Sequence, residues 1–216
     1  MILYLPKPTD GPVSRYINRR ISGLITYLIL KFNIPITPNQ VSLISFLVGI
    51  SASILYLTGN PIVGGIMVQL ASIIDGVDGE LARVRGLHSR VGAFIDAILD
   101  RIVDVTVIIA LTLTTIRFSV WSVELVLLIG VLAVTGSLMV SYIHARGEAS
   151  LGVHPLRIGS IPNISSRDVR LFIIFVGSII GLYIESLIAI AILSYTYISA
   201  KTIEVYVRVR RGDIRL

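Results

Sequence analysis

Long apolar runs alternate with short polar breaks along most of the chain, and the runs set the expected architecture. Six of them read as helical spans, over about residues 39–59, 62–84, 91–116, 120–144, 170–184 and 186–206. A helix needs about 20 mostly apolar residues to cross the hydrocarbon core, and it satisfies its own backbone there. Ahead of these runs, residues 12–33 mix Arg15, Arg19, Arg20 and Lys31 with Ile17, Ile21, Leu24, Ile25 and Leu28. The apolar part is too short to cross, so the pattern predicts an amphipathic helix lying at the membrane surface. Pro35 and Pro38 in "IPITPNQ" then interrupt the helix before the first span. The expectation is an all-α integral membrane protein. Residues 1–38 form an N-terminal cytoplasmic segment with the interfacial helix, and residues 39–216 form one six-helix membrane domain.

Composition agrees with that reading. Of 216 residues, 54% are hydrophobic and only 15% are charged, with a mean hydropathy of +0.86. No cysteine is present, which excludes disulfides and thiolate metal sites. Absent cysteine and scarce Asn and Gln fit a hot-living organism. The start, "MILYLPKPTDGPVSRYINRR", lacks a signal-peptide pattern.

The net charge of +6 is distributed in a way that orients the chain. With the N-terminus inside, the inner segments and adjoining helix ends hold every Lys and Arg except Arg101, within a span, and Arg117, outside. The positive-inside rule therefore puts both termini in the cytoplasm of a multi-pass plasma-membrane protein. Basic residues lining a membrane face argue against a nucleic-acid partner.

One stretch changes the picture. "DGVDGELARVRGLHSRVGAFIDAILDR", Asp75 to Arg101, gathers five carboxylates in an apolar chain. Asp75 and Asp78 sit near the cytoplasmic end of the second span, and Asp96 and Asp100 near the start of the third. The short turn between them makes the helices antiparallel neighbours, so the four acids converge at one depth. At about 100° per residue, Asp75, Asp78, Gly79 and Ala82 share an arc, with Arg83 at its edge. Gly92, Asp96, Asp100 and Asp104 form a stripe on the partner helix. Four carboxylates cannot all stay ionised at membrane depth without cations. Their hard oxygens suit Mg²⁺ or Mn²⁺, and two such ions balance four charges. A pyrophosphate substrate would complete the coordination.

Other readings of these residues are weaker. Val77 and Glu80 spoil an EF-hand ligand pattern. Gly79 and Ala82 alone are ordinary packing residues, and Glu80 and Asp104 are equally read as paired structural acids. An ion transporter is the alternative from a different class, but transport favours acids at the midplane, whereas these lie beside the cytoplasmic mouth.

Asp75-x-x-Asp78-Gly79-x-x-Ala82-Arg83, eight residues, then Gly92-x-x-x-Asp96-x-x-x-Asp100 resembles the complete signature of the CDP-alcohol phosphotransferases. The resemblance implies displacement of CMP from a CDP-alcohol by an acceptor hydroxyl, forming a phosphodiester. It implies Asp75, Asp78 and Asp96, with Asp100 close by, as ligands of two divalent ions, and Asp100 as the general base. Asp75, Asp78, Gly79, Ala82, Arg83 and Gly92 would line the CDP site. The family is usually homodimeric; "GSIIG", Gly177 to Gly181, would serve either a dimer face or ordinary intramolecular packing.

"KPTDGPVSRYINRRIS", Lys7 to Ser22, and "SSRDVRLF" are similar to the di-myo-inositol phosphate phosphate synthase branch. That branch joins CDP-inositol to inositol 1-phosphate, making a compatible solute. Its cytidylyltransferase is often fused at the N-terminus, so here a separate protein would supply CDP-inositol. The alternative is phospholipid biosynthesis from CDP-archaeol or CDP-diacylglycerol with inositol phosphate or another polar alcohol. Either acceptor can be anionic, which makes Arg146, Arg157, Arg167 and Arg170 candidate acceptor-binding residues.

Overall fold

The computed structural model describes Pro6 and residues 10–212. Lys7 to Thr9, part of the stretch that carries the branch resemblance, lie outside the described residues. A π-helical turn at Ser14–Asn18 runs into α1 (Arg19–Lys31). It is followed by α2 (Pro38–Leu57), α3 (Pro61–Arg85), α4 (Arg90–Phe118), α5 (Val123–Leu151), α6 (Arg167–Ile180) and α7 (Tyr183–Arg210). No strand occurs among the described residues.

The polar breaks in the apolar pattern are helix caps. Thr37 and Gln40 form a reciprocal capping box at the start of α2, with Pro38 in its first turn. Ser89 Oγ accepts from the Gly92 N–H at the start of α4 (3.2 Å), and Ser122 Oγ from the Leu125 N–H at the start of α5 (3.3 Å). Gly86, Gly152 and Gly181 close α3, α5 and α6 in the left-handed conformation, at φ of 65°, 67° and 77°. Two expected boundaries shift as a result. Gly152, not residue 144, ends the fourth long helix, so Arg146 rides on α5 rather than in a loop. Gly181 likewise moves the α6–α7 junction three to four residues toward the N-terminus.

Among the described residues four helices, α2, α3, α5 and α7, are long and apolar enough to cross a membrane. The helix α4 has the length, but Asp96, Asp100, Arg101 and Asp104 interrupt its apolar run. The helix α6 has only 14 residues. Large apolar side chains remain exposed on outward faces, such as Leu47 and Ile54 on α2, Leu128 and Val131 on α5, and Ile192 on α7. A continuous apolar exterior of this kind is what a bilayer covers.

The main core lies where α2, α4, α6 and α7 meet, around Tyr56, Val107, Leu111, Ile174, Leu187 and Ile190. Small residues bring the helices close: a Cβ on Gly49 would lie 2.5 Å from Val103, and one on Gly65 2.6 Å from Ser178. "GSIIG" packs within the chain. A Cβ on Gly177 would lie 1.8 Å from Ser186 Oγ, and Ser178 bonds the buried Tyr56 hydroxyl (2.5 Å).

The helix α1 has an inverted arrangement for a surface helix. Ile17, Ile21, Leu24 and Leu28 point away from the protein, whereas Asn18, Arg19, Ser22 and Thr26 are buried against it. The buried side is a polar network. Asn18 Nδ2 donates to Ser72 Oγ (3.0 Å), Gln69 Nε2 donates to Asn18 Oδ1 (2.8 Å), and Ser22 and Thr26 each donate to Glu80 at 2.7 Å. Arg19 joins Glu80 (3.1 Å) to Asp10 (2.9 Å). Asn18, Arg19, Ser22 and Thr26 thus each find a partner on α3, Arg19 also on the N-terminal segment, and the apolar stripe is left facing outward.

Candidate active site

Asp75 and Asp78 lie in the last three turns of α3, and Asp96 and Asp100 in the second and third turns of α4. One carboxylate oxygen from each of Asp75, Asp78 and Asp96 lies within 4.8 Å of the other two. Ser42 of α2 donates a short hydrogen bond to Asp78 Oδ2, so a third helix fixes this carboxylate. Convergent oxygen donors from two helices, with Asp78 buried and Asp75 and Asp96 half-buried, fit a hard divalent cation, and within the trio Asp75 also pairs with Arg167.

Arg167, at the first position of α6, holds the other end of the cluster. Its Nη1 pairs with Asp75 Oδ2 at 3.1 Å, its Nη2 with Asp100 Oδ1 at 3.0 Å, and its Nε with Asp104 Oδ1 at 2.9 Å. Arg170 Nη2 reaches Asp104 Oδ2 at 3.2 Å, and its Nη1 donates to the Ser165 carbonyl. Asp104 is thus enclosed by two guanidiniums, with Arg101 Nε a further 3.7 Å contact.

Two cavities meet at the acids. The larger, about 500 Å³, is bounded by α3, α4, α5, the N-terminal segment and the start of α6. It contains Asp75, Asp78, Gly79, Asp96, Asp100, Arg167 and Arg170. The smaller, about 300 Å³, lies between α2, the end of α3 and the start of α4. It contains Asn39, Ser42, Asp78, Gly79, Ala82, Arg83, Gly92 and Asp96. Asp78, Gly79 and Asp96 line both, so a molecule in either cavity faces the same carboxylates. Gly92 keeps the smaller one open, since a Cβ there would come within 3.0 Å of Asn39 Oδ1.

The structure therefore brings Asp75, Asp78 and Asp96 together, links Asp100 to Asp75 through Arg167, and collects Gly79, Ala82, Arg83 and Gly92 in one cavity. The four arginines separate. Arg167 and Arg170 line the larger cavity, and Arg170 is buried at 2% exposure by its structural partners. Arg146 instead lines an apolar groove between α5 and α7, and Arg157 is exposed and lines neither cavity.

Several residues of the larger cavity escaped the sequence reading. His144 on α5 and His154 in the following loop meet in a tilted contact with ring centroids 4.9 Å apart, and His144 Nε2 bonds the Tyr197 hydroxyl (2.8 Å). His154 Nδ1 accepts from the Leu156 N–H (3.2 Å), leaving Nε2 as the protonated nitrogen of the neutral ring. Burial lowers the His154 pKa, and nearby Arg157 and Lys201 lower it further against the pull of Glu148. Ser166 Oγ is buried beside the cavity with no hydrogen-bond partner, the condition a bound polar ligand would relieve. The one sequence signal was that the chain has only three histidines, all near predicted inner segments; the third, His88, lines the smaller cavity.

The fold and site define a multi-pass helical membrane protein with two cavities sharing an acid cluster. The chain belongs to the CDP-alcohol phosphatidyltransferase family, whose model matches residues 35–198. Over 172 residues it is 41% identical to the bifunctional IPC transferase and DIPP synthase of Rubrobacter xylanophilus, which covers 80% of this chain and 37% of that protein. It is 33% identical over 177 residues to the archaetidylinositol phosphate synthase of Pyrococcus horikoshii, covering 82% of this chain and 87% of the relative. The chain thus spans well under half the length of the bifunctional relatives it matches. The crystal structure of Mycobacterium tuberculosis phosphatidylinositol phosphate synthase with CDP-DAG bound superposes with a TM-score of 0.70 at 26% identity, over 87% of this chain and 94% of that one. The same enzyme has been solved in complex with manganese and citrate.

Proposed function

We propose that this chain transfers a phosphoalcohol group from a CDP-alcohol to an acceptor hydroxyl, releasing CMP and forming a phosphodiester. The observation that carries this reading is the pair of cavities opening onto the same carboxylates, Asp78 and Asp96. A nucleotide in the smaller cavity and a polar acceptor in the larger would meet there.

In this reading the smaller cavity takes the CDP moiety. Gly79, Ala82 and Gly92 leave room for it, and Arg83, with Asp75 and Asp78 nearby, faces its phosphates. Asp75, Asp78, Asp96 and Asp100 would hold two divalent ions, Mg²⁺ or Mn²⁺, which polarise the pyrophosphate and stabilise the departing CMP. Asp100 lines only the larger cavity, so it faces the acceptor side and serves as general base. It takes the proton of the acceptor hydroxyl as that oxygen bonds to the phosphorus carrying the alcohol. The bond from this phosphorus to the bridging oxygen of CMP breaks in the same displacement. Arg167 and His154 add a cation and a neutral N–H donor for an anionic, hydroxyl-rich acceptor.

The preferred reaction joins CDP-inositol to inositol 1-phosphate, giving di-myo-inositol phosphate phosphate. The 41% identity to a bifunctional IPC transferase and DIPP synthase favours it. A lipid synthase using CDP-archaeol or CDP-diacylglycerol is the second reading, favoured by the archaetidylinositol phosphate synthase that aligns over 87% of its own length. Release of labelled CMP, measured with a panel of CDP-alcohols with and without inositol 1-phosphate, separates them. Turnover only with CDP-lipids rejects the preferred reaction, and ion flux without CMP release from any donor would overturn the transferase reading.

The same proposal sets α2 to α7 in the plasma membrane as six spans, with both termini and the site at the cytoplasmic face. The outward apolar stripe of α1 then rests on the lipid surface, and a homodimer is the expected assembly.

A further inference from the structure

Arg167 is bound asymmetrically. Its Nε meets Asp104, whose side chain is 1% exposed and also held by Arg170. Its two terminal nitrogens meet Asp75 and Asp100, whose side chains are 27% and 18% exposed and line the larger cavity. One edge of the guanidinium is anchored in the core, and the other lies across two carboxylates open to solvent. Asp75 belongs at once to this pairing and to the trio whose oxygens converge within 4.8 Å. A divalent ion using Asp75 and Asp100 must compete with Arg167 for both.

We propose that Arg167 is a resident counter-cation of the acid cluster, exchanged when the anionic acceptor arrives. Before the acceptor binds, Arg167 neutralises Asp75 and Asp100, and the converging oxygens of Asp75, Asp78 and Asp96 take one divalent ion. The acceptor's phosphate draws the two terminal nitrogens away, while Nε stays on Asp104. Asp75 and Asp100 are then released to a second ion. Neither Arg170 nor Arg101 can play this part. Arg170 is buried and spent on Asp104 and the Ser165 carbonyl, and Arg101 approaches Asp100 and Asp104 no closer than 3.6 and 3.7 Å. The exchange prevents a fully charged metal site from forming before the anionic acceptor is present, and linkage makes the coupling reciprocal. The inference rests on the reading of the cluster as a divalent-metal site.

The test is Mn²⁺ binding by the full chain in nanodiscs, followed by the loss of the free-ion electron paramagnetic resonance signal. The protein should bind one Mn²⁺ tightly and a second at least about tenfold more weakly, the equivalent of ~1.4 kcal/mol. Inositol 1-phosphate should close most of that gap, with inorganic phosphate reproducing part of the effect. Arg167→Gln should bind two ions with similar affinity and show no response to either anion. Two equal sites in the unmodified protein, or a second site indifferent to inositol 1-phosphate, would overturn the proposal without recourse to a variant. CMP release measured alongside keeps the two readings apart. Transfer with a flat metal response rejects only the exchange, whereas no transfer from any CDP-alcohol rejects the reaction.

Discussion

The helices α3 and α4 carry two kinds of acid, and their surroundings divide them. Glu80 and Asp104 are buried at 0% and 1% exposure, and each is enclosed by donors: Arg19, Ser22 and Thr26 for one, Arg167 and Arg170 for the other. Asp75, Asp78 and Asp96 converge on one another beside two cavities. Each buried acid sits close in sequence to the acids of the cavities, Glu80 two residues after Asp78 and Asp104 one turn after Asp100. Helical geometry turns Glu80 to another face of α3, whereas Asp104 continues the Asp96–Asp100 stripe and is enclosed because Arg167 and Arg170 pack against it. An enclosed carboxylate ties helices together, whereas carboxylates that converge on one another favour a cation between them.

That contrast can be broken most sharply at the open acids. Asp75→Asn is expected to weaken Mn²⁺ binding by about a hundredfold or more, with CMP release falling in parallel, on the scale of losing a charged ligand at ~3 kcal/mol. A metal titration unchanged from the parent would end its assignment as a ligand. Asp100→Asn should lower turnover by about a thousandfold, in the range of a general base, while CDP-alcohol binding, read by displacement of a labelled donor, stays close to that of the parent. Equal loss of binding and turnover would make Asp100 chiefly a ligand.

The enclosed acids should respond in stability instead. Glu80→Ala leaves buried Arg19 without one of its partners and strips Ser22 and Thr26 of theirs, a loss of about 3 kcal/mol. Thermal unfolding should show it, and the folded fraction should still bind Mn²⁺; failure of metal binding in folded protein would blur the division. Gly92→Leu, which fills the smaller cavity near Asn39, should raise KM for the CDP-alcohol about tenfold, ~1.4 kcal/mol, and leave the metal titration unmoved. Arg146→Ala is the smallest case. Because Arg146 lines the separate groove on α5 and α7, activity should remain within about twofold, as for surface changes remote from a site. A larger fall would extend the acceptor site beyond the cavity described.

Much of this was legible in the chain. The apolar runs located α2 to α7, and the mixed apolar and basic pattern located α1, because period and caps are local properties: Pro38, Ser89 and Ser122 mark starts, and Gly86, Gly152 and Gly181 mark ends. The boundaries that moved, at Gly152 and Gly181, did so where a glycine cap outweighed the hydropathy profile. The acids were legible because their i, i+3 and i, i+4 spacing puts them on one face of each helix whatever packs against them. The arginines were not. Arg146, Arg157, Arg167 and Arg170 look alike in a basic loop, and only packing sends Arg167 to the acids while leaving Arg157 exposed.

The helical membrane class, the acid face of each helix and its small neighbours were legible in the chain alone, since all follow from periodicity over a few turns. The tertiary structure alone decided which acids are enclosed and which stay open. It also decided that Arg167, more than sixty residues beyond Asp104, closes one end of the cluster. Charge compensation depends on which groups lie within a few ångströms in space, and the chain's local pattern does not record that distance. For Asp75 and the residues after it, the carboxylate run located the chemistry, and the fold divided its acids between holding helices and facing the two cavities.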